Sequence, residues 1–319
     1  MSSLLSSLKD QQPAPYEIIV VDDYSEDKTK VVAEQHGATL IASQLRPEGW
    51  IGKTWACYQG AQKSKGDILV FLDADTHIEK DGLKKIINTY IVQTGVISIQ
   101  PFHKMIKLYE ELSAFFNIVV MAAMGSSTIL GEKIKPLGLF GPVVVIEKQQ
   151  YESNSGHGLV KGQILEDLAF GDRLKRENIK VSCYGGKGTV SFRMYPSGIH
   201  ELIAGWSKGF ALGASKTSIP LLIIIIAWIT GSIGVARELI QSIIFGDPGQ
   251  IALWGILYTV YVLQIYWILY RIGNFKFYTA LFYPVPVLFF VLVFIYSFII
   301  IFIKKTVTWK GKKIDLRNG

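Results

Sequence analysis

Pairs of aspartates stand at two places where an apolar, β-branched stretch of the chain ends. Asp22 and Asp23 follow the stretch EIIVV, and Asp73 and Asp75 follow DILVFL. In a turn after a strand, two such carboxylates can reach one divalent cation, and hard oxygen ligands suit Mg²⁺ or Mn²⁺. A cation held there can bridge a diphosphate. The alternative is structural, because aspartates at the end of a strand also cap the helix that follows.

A third acidic pair, Glu166 and Asp167, precedes the helical pattern LAFGDRLKREN. A carboxylate in this position can be a general base that removes a proton from an acceptor hydroxyl. Equally, the pair can stabilise the positive end of the helix dipole. Farther along, Arg193 and Lys208 can stabilise a leaving diphosphate. The ring of Trp206 can stack on an acceptor or lie at a membrane interface.

The stretch FLDADT also fits a second chemistry. It matches the D-x-D-x-T signature of a phosphatase, in which the first aspartate, here Asp73, is the nucleophile. That signature normally follows the first strand of its domain. Here another strand and another acidic cluster come before it, which favours the metal-binding interpretation.

The elements that must position these side chains alternate between strand and helix. This alternation predicts an α/β domain with a mostly parallel sheet, in which ligands bind at the carboxyl ends of the strands. Residues 1–9 have the pattern of an amphipathic helix with no strand before it, so we expect the first strand of the sheet to be missing. The predicted strands are 17–21, 39–42, 67–72 and 96–100. The predicted helices are 25–36, 54–64 and 83–93.

The composition divides the chain into two parts. Of its 319 residues 50% are hydrophobic and 18% charged, against roughly 25% charged in soluble domains. Residues 1–218 hold 24 Lys and Arg against 23 Asp and Glu, whereas residues 219–319 hold nine against three. The two cysteines, Cys57 and Cys183, have no metal-ligand spacing, which argues against a structural zinc site.

Three uncharged apolar runs, 219–236, 251–270 and 277–303, predict membrane helices, because a span needs roughly 20 apolar residues. The short first run can also be re-entrant, and the prolines of the third predict a kinked path. A basic tail, 304–319, follows directly and indicates a membrane flank on the cytoplasmic side rather than nucleic-acid binding. We therefore expect a multi-pass protein of the cell membrane with its catalytic domain in the cytoplasm. The number of crossings stays open.

Four motifs occur in order and are followed by apolar helices: VDDYSEDKT, FLDADT, LEDLAFGDRLK and GWSKG. Their order resembles that of an inverting family 2 glycosyltransferase. Five further strings are similar to those of the bacterial 4,4'-diaponeurosporenoate (carotenoid-acid) glycosyltransferases. They are EGWIGKTWACYQGA, SIQPFHK, FGPV, FRMYPSG and TWKGKK. The resemblance covers almost the whole chain. It implies a GT-A-type fold that lacks its first strand, a UDP-sugar donor and a lipophilic acceptor. Ceramide, hopanoid and polyprenyl acceptors, or an inactive truncated relative, remain alternatives.

The resemblance also implies roles for single residues. Asp22 or Asp23 would contact the nucleotide, Asp75 with Asp73 would hold Mg²⁺ or Mn²⁺, and Asp167 beside Glu166 would be the base. Trp206 would replace the last residue of the family's Q/R-x-x-R-W motif, with Arg193 or Lys208 supplying its missing cation. Donor or metal contacts are implied for Gly49, Trp50, Gly52 and Lys53. Trp50 is also assigned, with Trp206, Lys208 and Arg193, to the acceptor and leaving-group side.

The domain boundaries expected from this resemblance are a catalytic domain over 1–198, an interfacial segment over 199–218, membrane helices over 219–303 and the basic tail.

Overall fold

The computed structural model describes residues 1–126, 135–163, 165–208, 210–303, 306–309 and 312–315. The chain forms two compact units. The first contains Met1–Phe102 and Met124–Arg193, and the second contains His103–Ala123 and Met194–Gly319. The domain boundaries expected from the sequence stay predictions.

Helices and strands alternate along most of the first unit. Its helices are α1 (Ser2–Lys9), α2 (Thr29–Gln35), α3 (Gly52–Lys63), α4 (Gly82–Gln93), α6 (Lys148–Ser153) and α7 (Glu166–Arg176), with a 3₁₀ turn at Gly156–Val160; α5 (Ala114–Ala123) belongs to the second unit. Its strands are β1 (Ile19–Asp22), β2 (Thr39–Ala42), β3 (Ile68–Leu72), β4 (Thr76–Ile78), β5 (Val96–Gln100), β7 (Val143–Glu147), β8 (Val181–Gly185) and β9 (Val190–Phe192); the short β6 (Phe102–His103) lies where the two units join in sequence.

The central sheet has the strand order β3-β7-β5-β8. Strand β7 pairs antiparallel with both β3 and β5, while β5 and β8 pair in parallel. Three strands therefore run in one direction and β7 in the other. The predicted α/β class is confirmed, and the reversed strand makes the sheet mixed. Both faces are buried, because Val144 and Ile146 of β7 lie in one apolar core and Val143 and Val145 in the other.

Strands β1 and β2 form a separate parallel pair. Within the part of the chain that the structure describes, β1 and β3 do not pair with each other. A cavity of about 520 Å³ lies along β1, β3 and α1. It extends from the apolar side chains of these elements to Lys53, Asp73 and Asp167.

The predicted elements of this unit agree with the structure to within a few residues. The largest difference is at α2, which begins at Thr29 rather than at Ser25. The reason is local: the Asp22 carboxylate accepts a hydrogen bond from the Ser25 amide, 3.0 Å away. The chain thus forms a turn after β1 before the helix starts.

The second unit is mainly helical. Besides α5 and a 3₁₀ helix over Leu108–Ser113, it contains α8 (Ile199–Ser207), α9 (Phe210–Lys216), α10 (Ile219–Phe245), α11 (Pro248–Ile272), α12 (Phe277–Leu281) and α13 (Pro284–Phe298), which continues as a π-helix over Ile299–Ile303. Strands β10 (Thr306–Trp309) and β11 (Lys312–Asp315) pair antiparallel. The remaining residues of the basic tail, among them Lys304 and Arg317, lie outside the described residues.

Three helices of the described residues are long and apolar enough to cross a membrane. They cover Ile219–Phe245, Pro248–Ile272 and Pro284–Ile303. The first is longer than its apolar run predicts, because the helix continues through Arg237 and Glu238 to its end at Phe245. The third apolar run is divided into α12 and α13, and the new helix begins at Pro284. Proline is favoured at a helix start and disfavoured inside one.

Candidate active site

One lysine ammonium in the first unit is shared by three carboxylates. The Nζ of Lys53 lies 3.2 Å from Asp73 Oδ1, 3.5 Å from Glu166 Oε1 and 3.2 Å from Asp167 Oδ2. About a third of the Lys53 side chain is exposed, and Glu166 and Asp167 are more buried. The cluster therefore joins two acidic motifs that lie more than 90 positions apart in sequence.

Each of these side chains lies at the end of a regular element. Lys53 is in the first turn of α3, Asp73 directly follows β3, and Glu166 and Asp167 are the first two residues of α7. Carboxylates are favoured at a helix N-terminus, whereas a lysine is not. The three carboxylates compensate for that unfavourable position of Lys53.

Hydrogen bonds to the backbone hold the segments that carry Asp73 and Lys53. The Asp73 amide donates to the carbonyl of Pro142 at 2.9 Å, and the hydroxyl of Thr76 donates to the carbonyl of Asp73 at 2.8 Å. At the start of α3, the hydroxyl of Thr54 donates to the carbonyls of Ile51 and Lys161. These contacts fix the turn after β3 and the first turn of α3.

A glycine makes room for the cluster. A Cβ atom on Gly141 would collide with Asp167 Oδ2 and would lie 3.0 Å from Lys53 Nζ. The string FGPV around Gly141 is part of the family pattern, which predicts no role for this glycine. A side chain at this position would therefore displace the Asp167 carboxylate from its place in the cluster.

The charges of the cluster shift one another's protonation. Burial lowers the pKa of Lys53, but the carboxylates of Asp167, Asp73 and Glu166 outweigh it and hold that pKa well above its ordinary value. Burial, and then the neighbouring charge of Asp167, raise the pKa of Glu166. Burial and the charge of Asp167 also raise the pKa of Asp73, against the effect of Lys53. The lysine stays a cation and is the counter-charge that this acidic site requires.

The other predicted acidic residues lie outside this cluster of ion pairs. Asp75 is exposed, and its charge contributes to the raised pKa of Asp73. Asp23 is exposed beside Gly52, the first residue of α3, so that a Cβ on that glycine would collide with its carboxylate. Across residues 1–126, 135–163, 165–208 and 210–303, no three His, Cys, Asp or Glu side chains are grouped so that they could hold a metal ion.

Trp50 belongs to an aromatic cluster at the start of α3. Its ring centroid lies 5.0 Å from that of Trp55 and 5.1 Å from that of Tyr58. The indole of Trp55 donates to the carbonyl of Gln44 at 3.0 Å. The cluster is partly exposed, and its two tryptophans lie within three residues of Lys53 in sequence. Its assignment to acceptor binding stays a prediction.

The remaining predicted residues lie elsewhere in the chain. Arg193 ends the first unit, directly after β9. Trp206 and Lys208 belong to the second unit. The Trp206 ring is buried, stacks on Phe116 with centroids 4.8 Å apart, and donates to the Ser113 hydroxyl at 3.2 Å. These contacts give Trp206 a packing role, and its role toward an acceptor stays a prediction.

Two further residues, for which the sequence predicts no role in the site, line the cavity. His157 is buried, and its Nδ1 lies 2.8 Å from the hydroxyl of Tyr151. Burial lowers the pKa of His157 to about 4. Burial likewise raises the pKa of the Cys57 thiol to about 12. Both side chains are therefore neutral near pH 7. A single histidine or cysteine without a motif offers no sequence signal for this placement.

Comparison with known proteins finds relatives that match almost the whole chain. The sequence profile described as "Glycosyl transferase family 2" matches residues 2–114. A protein of Staphylococcus haemolyticus named 4,4'-diaponeurosporenoate glycosyltransferase is 35% identical, over 99% of this chain and 85% of the relative. The protein of the same name from Staphylococcus aureus is 32% identical, over 96% of this chain and 82% of the relative.

The chain belongs to glycosyltransferase family 2. This confirms the resemblance drawn from its motifs and favours a glycosyltransferase over the phosphatase alternative. Among solved structures, glucosyl-3-phosphoglycerate synthase from Mycobacterium tuberculosis with phosphoglyceric acid has a TM-score of 0.42 at 21% identity, over 68% of this chain and 75% of that one. The same enzyme with Mn²⁺, UDP and phosphoglyceric acid has a TM-score of 0.43 at 18% identity, over 67% and 73%.

Proposed function

We propose that this family 2 glycosyltransferase transfers a sugar from a UDP-sugar to a carotenoid carboxylic acid at a membrane, and that the sugar is glucose. The observation that carries the proposal is the Lys53 cluster, which joins the acidic turn after β3 to the acidic start of α7. The names of the relatives support the carotenoid acid as the acceptor. Ceramide-, hopanoid- or polyprenyl-type lipids are the alternative acceptors.

The donor end of the site is assigned to the turn after β3. Mg²⁺ is usually bound by one or two carboxylates together with substrate phosphates, rather than by a cage of protein ligands. Two neighbouring carboxylates, Asp73 and Asp75, fit that requirement, and they would hold Mg²⁺ or Mn²⁺ that neutralises the leaving diphosphate when bound. Asp22 and Asp23, after β1, are proposed to contact the nucleotide.

The reaction is a direct displacement. A carboxylate oxygen of the acceptor attacks the anomeric carbon of the sugar, and the bond from that carbon to the diphosphate oxygen breaks. UDP leaves with the bonding electron pair, and the configuration at the anomeric carbon inverts. The ammonium of Lys53 offsets negative charge beside the leaving group, an electrostatic role that gains strength where water is excluded.

The role of Asp167 and Glu166 depends on the acceptor. An ionised carboxylic acid has no proton to lose, so these residues would orient the acceptor and hold Lys53. A hydroxyl acceptor would require Asp167 to remove its proton. Trp50 and Trp206 are proposed to contact the acceptor, and Lys208 and Arg193 the leaving group.

The apolar helices explain why such an acceptor needs this architecture. A carotenoid acid is too apolar to diffuse through water, and α10, α11 and α13 are long enough to lie in the bilayer that dissolves it. We propose that the protein is a multi-pass protein of the cell membrane with its catalytic unit in the cytoplasm.

The test is turnover of UDP-glucose and a carotenoid carboxylic acid by membranes that contain the protein, with and without Mn²⁺. We expect Asp75→Ala to lose activity at least about 100-fold, as does removal of a group that stabilises transition-state charge. The matched control is Asp172→Ala, which replaces a partly exposed aspartate of α7 that pairs with Arg176 2.8 Å away. This variant should keep its activity. Equal metal-dependent turnover by Asp75→Ala and wild type would overturn the metal assignment.

A further inference from the structure

Two large apolar side chains of the second unit point into solvent next to each other. Ile106 is 70% exposed and Leu108 is 73% exposed, with the exposed Lys107 between them. We call residues 106–108 the exposed tip. Neighbouring exposed apolar side chains can mark a contact with a membrane or with a partner, and the tip's surroundings distinguish these two.

The exposed tip is attached to the end of a long apolar helix. Helix α11 ends at Ile272, and Asn274 follows it by two residues. The side chain of Asn274 accepts from the Met105 amide at 2.5 Å and donates to the Met105 carbonyl at 3.1 Å. Its own amide donates to the carbonyl of His103 at 3.0 Å. The tip is thus held at the level where α11 ends.

Two of the three backbone amides of the tip have partners within the protein. The carboxylate of Glu110, itself buried, accepts from the amides of Ile106 at 2.6 Å and of Lys107 at 3.2 Å. A segment can enter the apolar part of a bilayer only if its backbone polar groups have partners in the protein. These contacts meet that condition for the amides of Ile106 and Lys107.

Basic and aromatic side chains occur in the tip and in the last turns of α11 and the residues that follow it. Lys107 is in the tip, Lys276 follows α11, and the guanidinium of Arg271 lies over the ring of Trp267 at 4.1 Å from its centroid. Partly exposed tryptophan together with lysine and arginine is typical of the interface between headgroups and acyl chains, and cations there attract anionic lipids. This composition favours a lipid surface over a protein partner.

We propose that Ile106 and Leu108 insert into the boundary between headgroups and acyl chains of an anionic leaflet, beside the end of α11. The exposed tip would be a monolayer anchor that fixes the depth of the second unit where the span ends. This inference rests on the proposal that α11 lies in a membrane, and it adds a contact with lipid outside the spanning helices.

The test measures depth with a nitroxide spin label on the full chain in vesicles of phosphatidylglycerol and phosphatidylethanolamine. Leu108→Cys carries the label in the tip and is tolerated because the side chain is exposed. Leu263→Cys, 58% exposed on α11, reports the span. Val92→Cys, 78% exposed on α4 of the first unit, is the matched control. The wild type, with Cys57 and Cys183, gives the background.

We expect the labels at 108 and 263 to collide with dissolved oxygen at least about threefold more often, relative to a water-soluble nickel chelate, than the label at 92. A label at 108 that behaves like the one at 92, while 263 reports lipid, would overturn the tip proposal alone. A label at 263 that reports water would instead overturn the membrane proposal. Shielding of position 108 from both reagents would show a protein contact and would also overturn the tip proposal.

Discussion

The candidate active site depends on the ammonium group of Lys53. It carries one positive charge among three carboxylates, each within 3.5 Å. Without it, Asp73, Glu166 and Asp167 would repel one another in a partly buried place. Removing one partner of a buried ion pair leaves uncompensated charge, which costs more than the pair itself contributes.

We expect Lys53→Ala to lower kcat at least about 100-fold, because the substitution removes a cation beside the leaving diphosphate and lets the carboxylates move apart. Lys53→Arg should retain part of the activity, since the charge is kept but the guanidinium has a different shape. Initial rates at saturating UDP-glucose measure this.

The control for that prediction is Lys63→Ala, which removes an exposed lysine from the other end of α3. It should leave kcat unchanged. If Lys53→Ala and Lys63→Ala have the same rate, Lys53 has no part in the reaction.

The buried His157 predicts how stability responds to pH. Its pKa is about 4 in the folded protein, chiefly because of burial, and about 6.5 in an unfolded chain. Between these values the unfolded chain binds a proton that the folded protein does not, so stability falls as the pH falls from about 6.5 to about 4. The loss would reach about 3 kcal/mol at most, from 1.36 kcal/mol for each unit.

Thermal unfolding in detergent at pH 7 and pH 4.5 tests this. We expect the melting temperature of His157→Gln to depend less steeply on pH than that of the wild type. His200→Gln, which replaces an exposed histidine, should follow the wild type. Parallel pH profiles for all three proteins would show that His157 does not carry the effect.

At the scale of elements, close packing of α7 places Glu166 and Asp167. A Cβ on Gly171 of α7 would lie 2.6 Å from the carbonyl carbon of Gly138 and 2.7 Å from the Leu139 amide nitrogen. A Cβ on Gly138 would in turn lie 2.5 Å from the backbone of Leu168. The helix therefore approaches the 138–139 backbone more closely than any side chain would allow, and its first turn is carried toward Lys53.

We expect Gly171→Ala to destabilise the protein by about 1–3 kcal/mol, the usual cost of overpacking. Its activity should fall as well, because a displaced α7 separates Asp167 from Lys53. Denaturation midpoints and turnover measure the two effects. Gly213→Ala in α9 is the control, because a Cβ there meets nothing within 4 Å. Unchanged stability and activity in Gly171→Ala would contradict this packing argument.

At the scale of the whole molecule, charge and hydropathy divide along the chain. The first 218 residues are almost neutral, and the remainder combines apolar helices with an excess of six positive charges. Surface attraction between cations and anionic lipids is screened by salt. Burial of apolar helices in a bilayer is not screened in this way.

We therefore expect the protein to stay in the membrane pellet after washes with 1 M salt and with alkaline carbonate, and to be released by detergent. Immunoblots of pellet and supernatant measure the distribution. Release by carbonate alone would show a peripheral protein and contradict the proposed spans.

Local patterns determined much of this protein in advance. Strands β1, β2, β3 and β5, the helices between them and the three long apolar runs follow from residue periodicity, which acts over a few neighbouring residues. The same patterns placed Asp73 at a strand end and Glu166 with Asp167 at a helix start, because strand ends and helix starts have local signals. Family motifs added Lys53 as a donor contact.

Only the tertiary structure decided which of these residues meet. The contacts of Lys53 with Asp73 and with Glu166 and Asp167 join segments that are distant in sequence, and no local signal specifies such a pairing. The reversed direction of β7 and the space that Gly141 leaves for Asp167 were not predicted for the same reason. Strand pairing and close backbone approach depend on long-range packing, which single-residue propensities do not encode.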